Sequence, residues 1–330
     1  MLILKVYFGV YTVALVIGVL GFIGNTLAFI GFNKEHQPTS TIFLFKALAI
    51  IDNIVLVLVC PSMWVLALSF LQDVGSILES KLLLVFHYLS PILETVIMTS
   101  AYTTVVLAMD RVVLVCLPTR QWSTKTAKVV LAVLLVCAVA YNIAYYFLFT
   151  TYEIDNHTII IEKYEEKSRY FHYIGRPVVF CIIPVTILIT STIILLIKLR
   201  QIRRGRDTQT RLEDRNQNVT WMLVTILIVF IVCSLPWPLL SLIRLSAGLS
   251  VSDIEVYLSI SIHFCHIVNS SVNFLIYAGF SRFYRNRMLS SLTCFRQKCM
   301  TGNADESGSE QSKTGRWNES APDVERVTTI

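Results

Sequence analysis

The sequence predicts an all-α fold: a bundle of seven membrane-crossing helices, then a short amphipathic eighth helix and a disordered C-terminal tail. Three observations carry that expectation. Of 330 residues, 55% are hydrophobic and only 15% are Asp, Glu, Lys or Arg, with a mean hydropathy of +0.64; soluble domains carry roughly 25% charged residues. Seven apolar stretches reach the roughly 20 residues that a spanning helix needs. Only helices and closed barrels satisfy every backbone group in lipid, and these runs are too long and continuous for the alternating strands of a barrel. The same arithmetic excludes a soluble globule, a disordered or collagen-like chain and a nucleic-acid-binding domain.

The spans fall near 6–32, 42–71, 82–116, 128–149, 177–197, 219–245 and 256–279, each followed by polar or turn-forming residues. The first begins almost at Met1, is longer than a signal-peptide core and carries Asn25 near its end, so it is read as a retained helix. This places the membrane domain at 1–280, the amphipathic helix at 281–300 and the tail at 301–330. Orientation follows from Lys and Arg in short loops. Segments 33–41, 111–128, 198–215 and 282–298 together hold 17 basic residues, whereas loops 72–81 and 150–176 hold one and four. The N-terminus is therefore expected outside. The net charge of +6 then serves the inner face rather than a polyanion. Asn156-His157-Thr158 is a glycosylation acceptor on the outer side.

After the last span, Phe280-Ser281-Arg282-Phe283-Tyr284-Arg285-Asn286-Arg287-Met288 alternates aromatic and basic residues, which suits an interfacial helix on anionic lipid. Cys294 and Cys299 follow as palmitoylation candidates. From about Thr301 the chain is rich in Gly, Ser, Glu and Asp and reads as a disordered tail, with Ser307, Ser309, Ser312 and Thr314 as candidate phosphoacceptors.

Ionisable groups inside spans are costly and mark function by default. Lys46 near the inner interface reads as a snorkelling side chain. Asp52 is mid-span and needs partners; Asn25, Ser100, Asn269, Ser270 and Asn273 are the candidates. Such oxygens suit a small hard cation such as sodium, with Asp52, Ser100 and Asn269 as ligands. A purely structural polar cluster that holds helices together is the other reading. Asp110-Arg111 closes the third span, where the two can pair locally or present the arginine to a cytoplasmic partner. Pro184 and Pro236 lie within spans five and six, where a missing amide hydrogen bond makes a kink.

In order along the chain, Gly24-Asn25, Leu48-Ala49-Ile50-Ile51-Asp52, Asp110-Arg111-Val112, Phe230 with Cys233-Ser234-Leu235-Pro236, and Asn273-Phe274-Leu275-Ile276-Tyr277 resemble the motifs of rhodopsin-like (class A) G-protein-coupled receptors. The likeness covers about residues 10 to 290. Two segments, Glu213-Asp214-Arg215-Asn216 through Val224 and Asn269 through Tyr277, look like invertebrate FMRFamide-type neuropeptide receptors. The resemblance implies a non-enzymatic plasma-membrane receptor whose extracellular ligand, an amidated neuropeptide, drives an outward swing of helix six that exposes Arg111 to a heterotrimeric G protein. Asp110, Arg111, Phe230, Pro236 and Tyr277 take the activation positions. Asp52, Ser100, Asn269, Ser270 and Asn273 take those of an allosteric sodium pocket, and no other cofactor is implied. Arrestin, receptor kinases and membrane lipids are the further partners.

Several positions depart from the family: Val112 for tyrosine, Phe274 for proline, Ser234 for the helix-six tryptophan, Leu134 and Ala144 for tryptophan and proline in helix four, Thr192 for a tyrosine, and Asn216 where relatives carry an acid. The family disulfide joins a position occupied here by Phe86 to an outer loop that has no cysteine here. Cys60, Cys137, Cys181, Cys233 and Cys265 lie within spans and read as small buried hydrophobes, so no structural disulfide is expected.

Glu94 lies 17 residues before Arg111, about 25 Å along a helix at 1.5 Å per residue. That is where class A pockets open, so Glu94 is the leading ligand contact, a candidate for the arginine of an amidated Arg-Phe peptide. An internal hydrogen bond to Tyr102, Tyr145 or His266 is the bland reading. Ser234, Trp237, Arg244, His263 and His266 are further ligand-binding candidates. Three other classes stay open: a receptor-like protein with weak or lost coupling, an intramembrane zinc hydrolase using His263, Cys265 and His266, and a transporter.

Overall fold

Seven long helices occur in the order of the seven apolar stretches in this computed structural model: α1 (Leu2–Asn33), α2 (Ser40–Gln72), α3 (Ser76–Cys116), α4 (Thr124–Ile143), α5 (Ile183–Arg204), α6 (Arg211–Ser234) and α7 (Val251–Phe280). The structure describes residues 2–33, 39–72, 76–117, 119–144, 147, 149–154, 157–162, 174–204, 211–236, 238–239, 251–280 and 285. Lys5–Asn33, Ser40–Ser69, Leu84–Cys116, Thr124–Ile143 and Val178–Lys198 are long and apolar enough to cross a membrane, and α6 has a shorter apolar part, Val224–Ser234. Residues 1–288 form one packed unit, and 289–330 lie outside the described residues. The eighth helix (apart from Arg285) and the tail therefore also lie outside the described residues.

Three departures from the expected spans have local causes. α4 starts at Thr124 because Ser123 caps it, its Oγ accepting from Thr126 N at 3.1 Å. It ends at Ile143 rather than 149, and the chain continues into a two-stranded hairpin in the loop after α4. There β1 (Phe149–Ile154) pairs antiparallel with β2 (His157–Glu162), Ile154 opposite His157. Thr150, Thr151, Thr158, Ile159, Ile160 and Ile161 supply the β-branched content that favours strands. Regular α6 stops at Ser234, just ahead of Pro236, which has no amide N–H to bond the carbonyl of Val232. Near Pro184 the expected irregularity takes the form of a π-helical turn, Val178–Ile182, immediately before α5.

α1 packs chiefly on α2 and α7, α3 on α2, α4 and α5, and α6 on α7 and α5. Close approach of α1 to α7 depends on glycine. A Cβ on Gly21 would strike the backbone of Ser271, and one on Gly24 would enter the Phe274 ring. Gly24 thereby makes room for the phenylalanine that stands where the family has proline. One buried cluster includes Tyr7, Tyr11, Val59, Met63, Ile97 and Ile267; a second includes Leu44, Leu48, Leu107, Ile276 and Tyr277. Large apolar side chains also point outward, Val129, Val133 and Val136 of α4 each more than half exposed. A helix surface of that kind suits lipid.

Candidate functional site

α3 runs through three polar centres. In the middle, Asp52 of α2 is fully buried and accepts from Ser100 Oγ at 2.6 Å and from Asn273 Nδ2 at 2.6 Å. The Ser270 side chain approaches the same carboxylate. Asn25 Nδ2 donates to the Ser270 carbonyl at 2.9 Å, tying α1 to α7. The structure thus brings Asp52, Ser100, Ser270, Asn273 and Asn25 together. Asn269 is half-buried and makes no hydrogen bond to Asp52 among the described contacts. Asn25 Oδ1 and Ser271 Oγ are buried oxygens without hydrogen-bond partners among the described residues. The Asp52 carboxylate and the Ser100 Oγ that meets it are oxygen donors, the type a hard cation takes.

At the C-terminal end of α3, Asp110 is buried and both of its oxygens are taken by the start of α2. Ser40 Oγ donates to Oδ1 at 2.7 Å and Thr41 Oγ1 to Oδ2 at 2.5 Å. Helix N-termini favour a negative charge, so the carboxylate meets the positive end of the α2 dipole as well. Arg111 beside it is half-buried. Tyr277 is fully buried and lies edge-on to Phe32 and Phe45, with ring centres 5.7 and 5.3 Å away. Phe230 is buried between α3 and α5 against Ala101, Val105 and Leu188, while Pro236 is half-buried just past α6.

Toward the N-terminal end of α3, Glu94 is buried and forms an ion pair through Oε1 with Nη2 of Arg176, a residue just ahead of the π-helical turn. Their side chains keep 12% and 11% of their surface accessible. The Arg176 guanidinium lies 5.8 Å from the centre of the Phe180 ring, close enough for a cation–π contact. Glu94 Oε2 is buried with no hydrogen-bond partner among the described residues. His263 and His266 are near enough for electrostatic interaction with Glu94. Tyr102 donates instead to the Val179 carbonyl at 2.9 Å. Ser234 is buried. The side chains of Trp237 and Arg244, and Asn156, Tyr145, Cys294 and Cys299, lie outside the described residues.

Ser40, Thr41 and Arg176 are absent from the sequence-based candidates. By hydropathy Arg176 falls in the loop before span five, yet it stands one residue before Pro177 at the mouth of that span. A lone intramembrane carboxylate calls for a cation at similar depth, and that was the available signal. Among the described residues no three His, Cys, Asp or Glu side chains converge as metal ligands, and Cys60, Cys116, Cys137, Cys181, Cys233 and Cys265 are free thiols.

A sequence model described as the 7 transmembrane receptor (rhodopsin family) matches residues 24–277. Among curated proteins, an FMRFamide peptide receptor of Caenorhabditis elegans is 25% identical over 295 residues, 83% of this chain and 67% of that protein. An FMRFamide receptor of Drosophila melanogaster is 25% identical over 291 residues, 83% of this chain and 52% of that protein. The chain thus spans about half the length of the Drosophila relative.

Proposed function

The chain belongs to the rhodopsin family of seven-transmembrane receptors, and on that premise we propose that it is a plasma-membrane receptor, N-terminus outside, that binds an extracellular amidated peptide and activates a heterotrimeric G protein. The observation that carries this reading is the placement of three charged centres at successive depths along α3: Glu94 with Arg176, Ser100 with Asp52, and Asp110 with the α2 hydroxyls. The peptide class comes from the two FMRFamide receptors to which the chain is similar.

The mechanism is a two-state equilibrium that a ligand biases by its differential affinity. In the resting arrangement Asp110 is held against α2 and Tyr277 is sealed between Phe32 and Phe45. A ligand near Glu94 touches α3, α5 and α7 at once, since Arg176 leads into α5 and His263 and His266 are on α7. Repacking there is transmitted along α3 and α7 through the Asp52–Asn273 bond. Outward movement of α6 then opens the inner end beside Arg111 to the G protein. Asp52 and Ser100, with Ser270 and Asn273 beside them, would hold a sodium ion, whose charge would favour the resting state. The tail and Cys294 and Cys299 are proposed to serve receptor kinases, arrestin and the membrane.

The test is expression with a promiscuous G protein and challenge with a library of amidated peptides. A peptide-evoked response that Arg111→Ala abolishes at equal surface level supports the reading. The altered Val112 and Ser234 favour a second one, a receptor with lost coupling; in that case peptide binds and no G protein responds.

A further inference from the structure

Resting on the amidated-peptide reading, the geometry of the outer centre specifies which part of the ligand is read. Glu94 is nine-tenths buried, and its two oxygens differ. Oε1 is committed to Arg176, whereas Oε2 has no hydrogen-bond partner among the described residues. A buried acceptor left unmade is costly, more so when charged. Something that donates to Oε2 therefore gains more here than at a hydrated carboxylate. The charge of the pair sums to zero, which decides the kind of donor. A ligand guanidinium would set a second cation beside Arg176, and it would need both carboxylate oxygens for a bidentate grip. A ligand carboxylate would face Glu94 itself. A neutral N–H donor meets neither penalty. The last torsion of a glutamate is broad, so Oε2 turns toward a donor while Arg176 keeps the charge balanced.

We infer that Glu94 is the specificity-determining residue for the neutral terminal carboxamide of the ligand, which donates to Oε2, and that Arg176 is its resident counter-ion. This revises the expectation that Glu94 takes the arginine of the peptide. The peptide's arginine is then read elsewhere.

The experiment measures direct binding to the full-length receptor in nanodiscs, using Phe-Met-Arg-Phe-amide, its free acid and its citrulline analogue as probes. The wild type is expected to bind the amide at least tenfold tighter than the acid. In Glu94→Gln that preference falls below threefold, because the acid is no longer repelled and Arg176 attracts it. The loss caused by citrulline is the same in both proteins. Glu94→Gln strands a buried arginine, so Glu94→Gln/Arg176→Gln is the second variant, with both charges removed and the same collapse of preference expected. An amide preference unchanged in either variant overturns the inference. So does a citrulline penalty that disappears with Glu94, or a wild type that binds neither amide nor acid. Amide-selective binding without a G-protein response upholds this inference and defeats the coupling reading instead.

Discussion

Asp52 and Asp110 are both buried carboxylates, yet their partners give them different tasks. Asp52 joins three helices through Ser100 and Asn273, while Asp110 fastens α3 to the first turn of α2 through Ser40 and Thr41. A hydrogen bond to a charged group contributes about 1.5–3 kcal/mol. Ser40→Ala/Thr41→Val is therefore expected to lower the melting temperature and raise basal G-protein turnover, with Ser40→Thr/Thr41→Ser restoring both. Thermal unfolding and ligand-free turnover check this; a variant with unchanged basal turnover removes the clamp from the account. Asp52 was legible because an acid in an apolar run stands out. Ser40 and Thr41 were not, because hydroxyls at a helix start read as ordinary capping residues. Arg176 was hidden for the opposite reason, as a basic residue in what looked like loop.

Among the elements, α1 and α7 show how a small residue sets a distance. Gly21→Val is expected to destabilise the receptor by about 1–3 kcal/mol, the usual cost of overpacking, because the Ser271 backbone cannot step aside. Gly9 meets nothing at its Cβ position, so Gly9→Ala should leave stability equal or slightly higher. Thermal unfolding of both variants decides whether this contact or mere helix propensity governs. Helix existence was legible throughout, since seven apolar runs leave little choice in lipid. The ends were less so. Hydropathy carried span four on to 149, where Thr150, Thr151 and Ile154 turn the chain into a hairpin, and it carried span six past the break at Pro236. The π-helical turn before Pro184 has no hydropathy signature at all.

At the scale of the molecule, a row of polar centres runs inside an apolar exterior. An N-terminal epitope is expected to be labelled on intact, unpermeabilised cells; labelling only after permeabilisation would invert the topology. If the oxygen set around Asp52 holds sodium, replacing sodium by choline should raise agonist affinity several-fold in the wild type and leave Asp52→Asn unmoved. Equal salt dependence in both would remove the ion. G-protein activation is tested by nucleotide exchange on a purified heterotrimeric G protein, catalysed by the receptor in nanodiscs. Phe-Met-Arg-Phe-amide should accelerate exchange at least tenfold with the wild type and not with Arg111→Ala. Exchange that stays at its unstimulated rate while the wild type binds the peptide would contradict it.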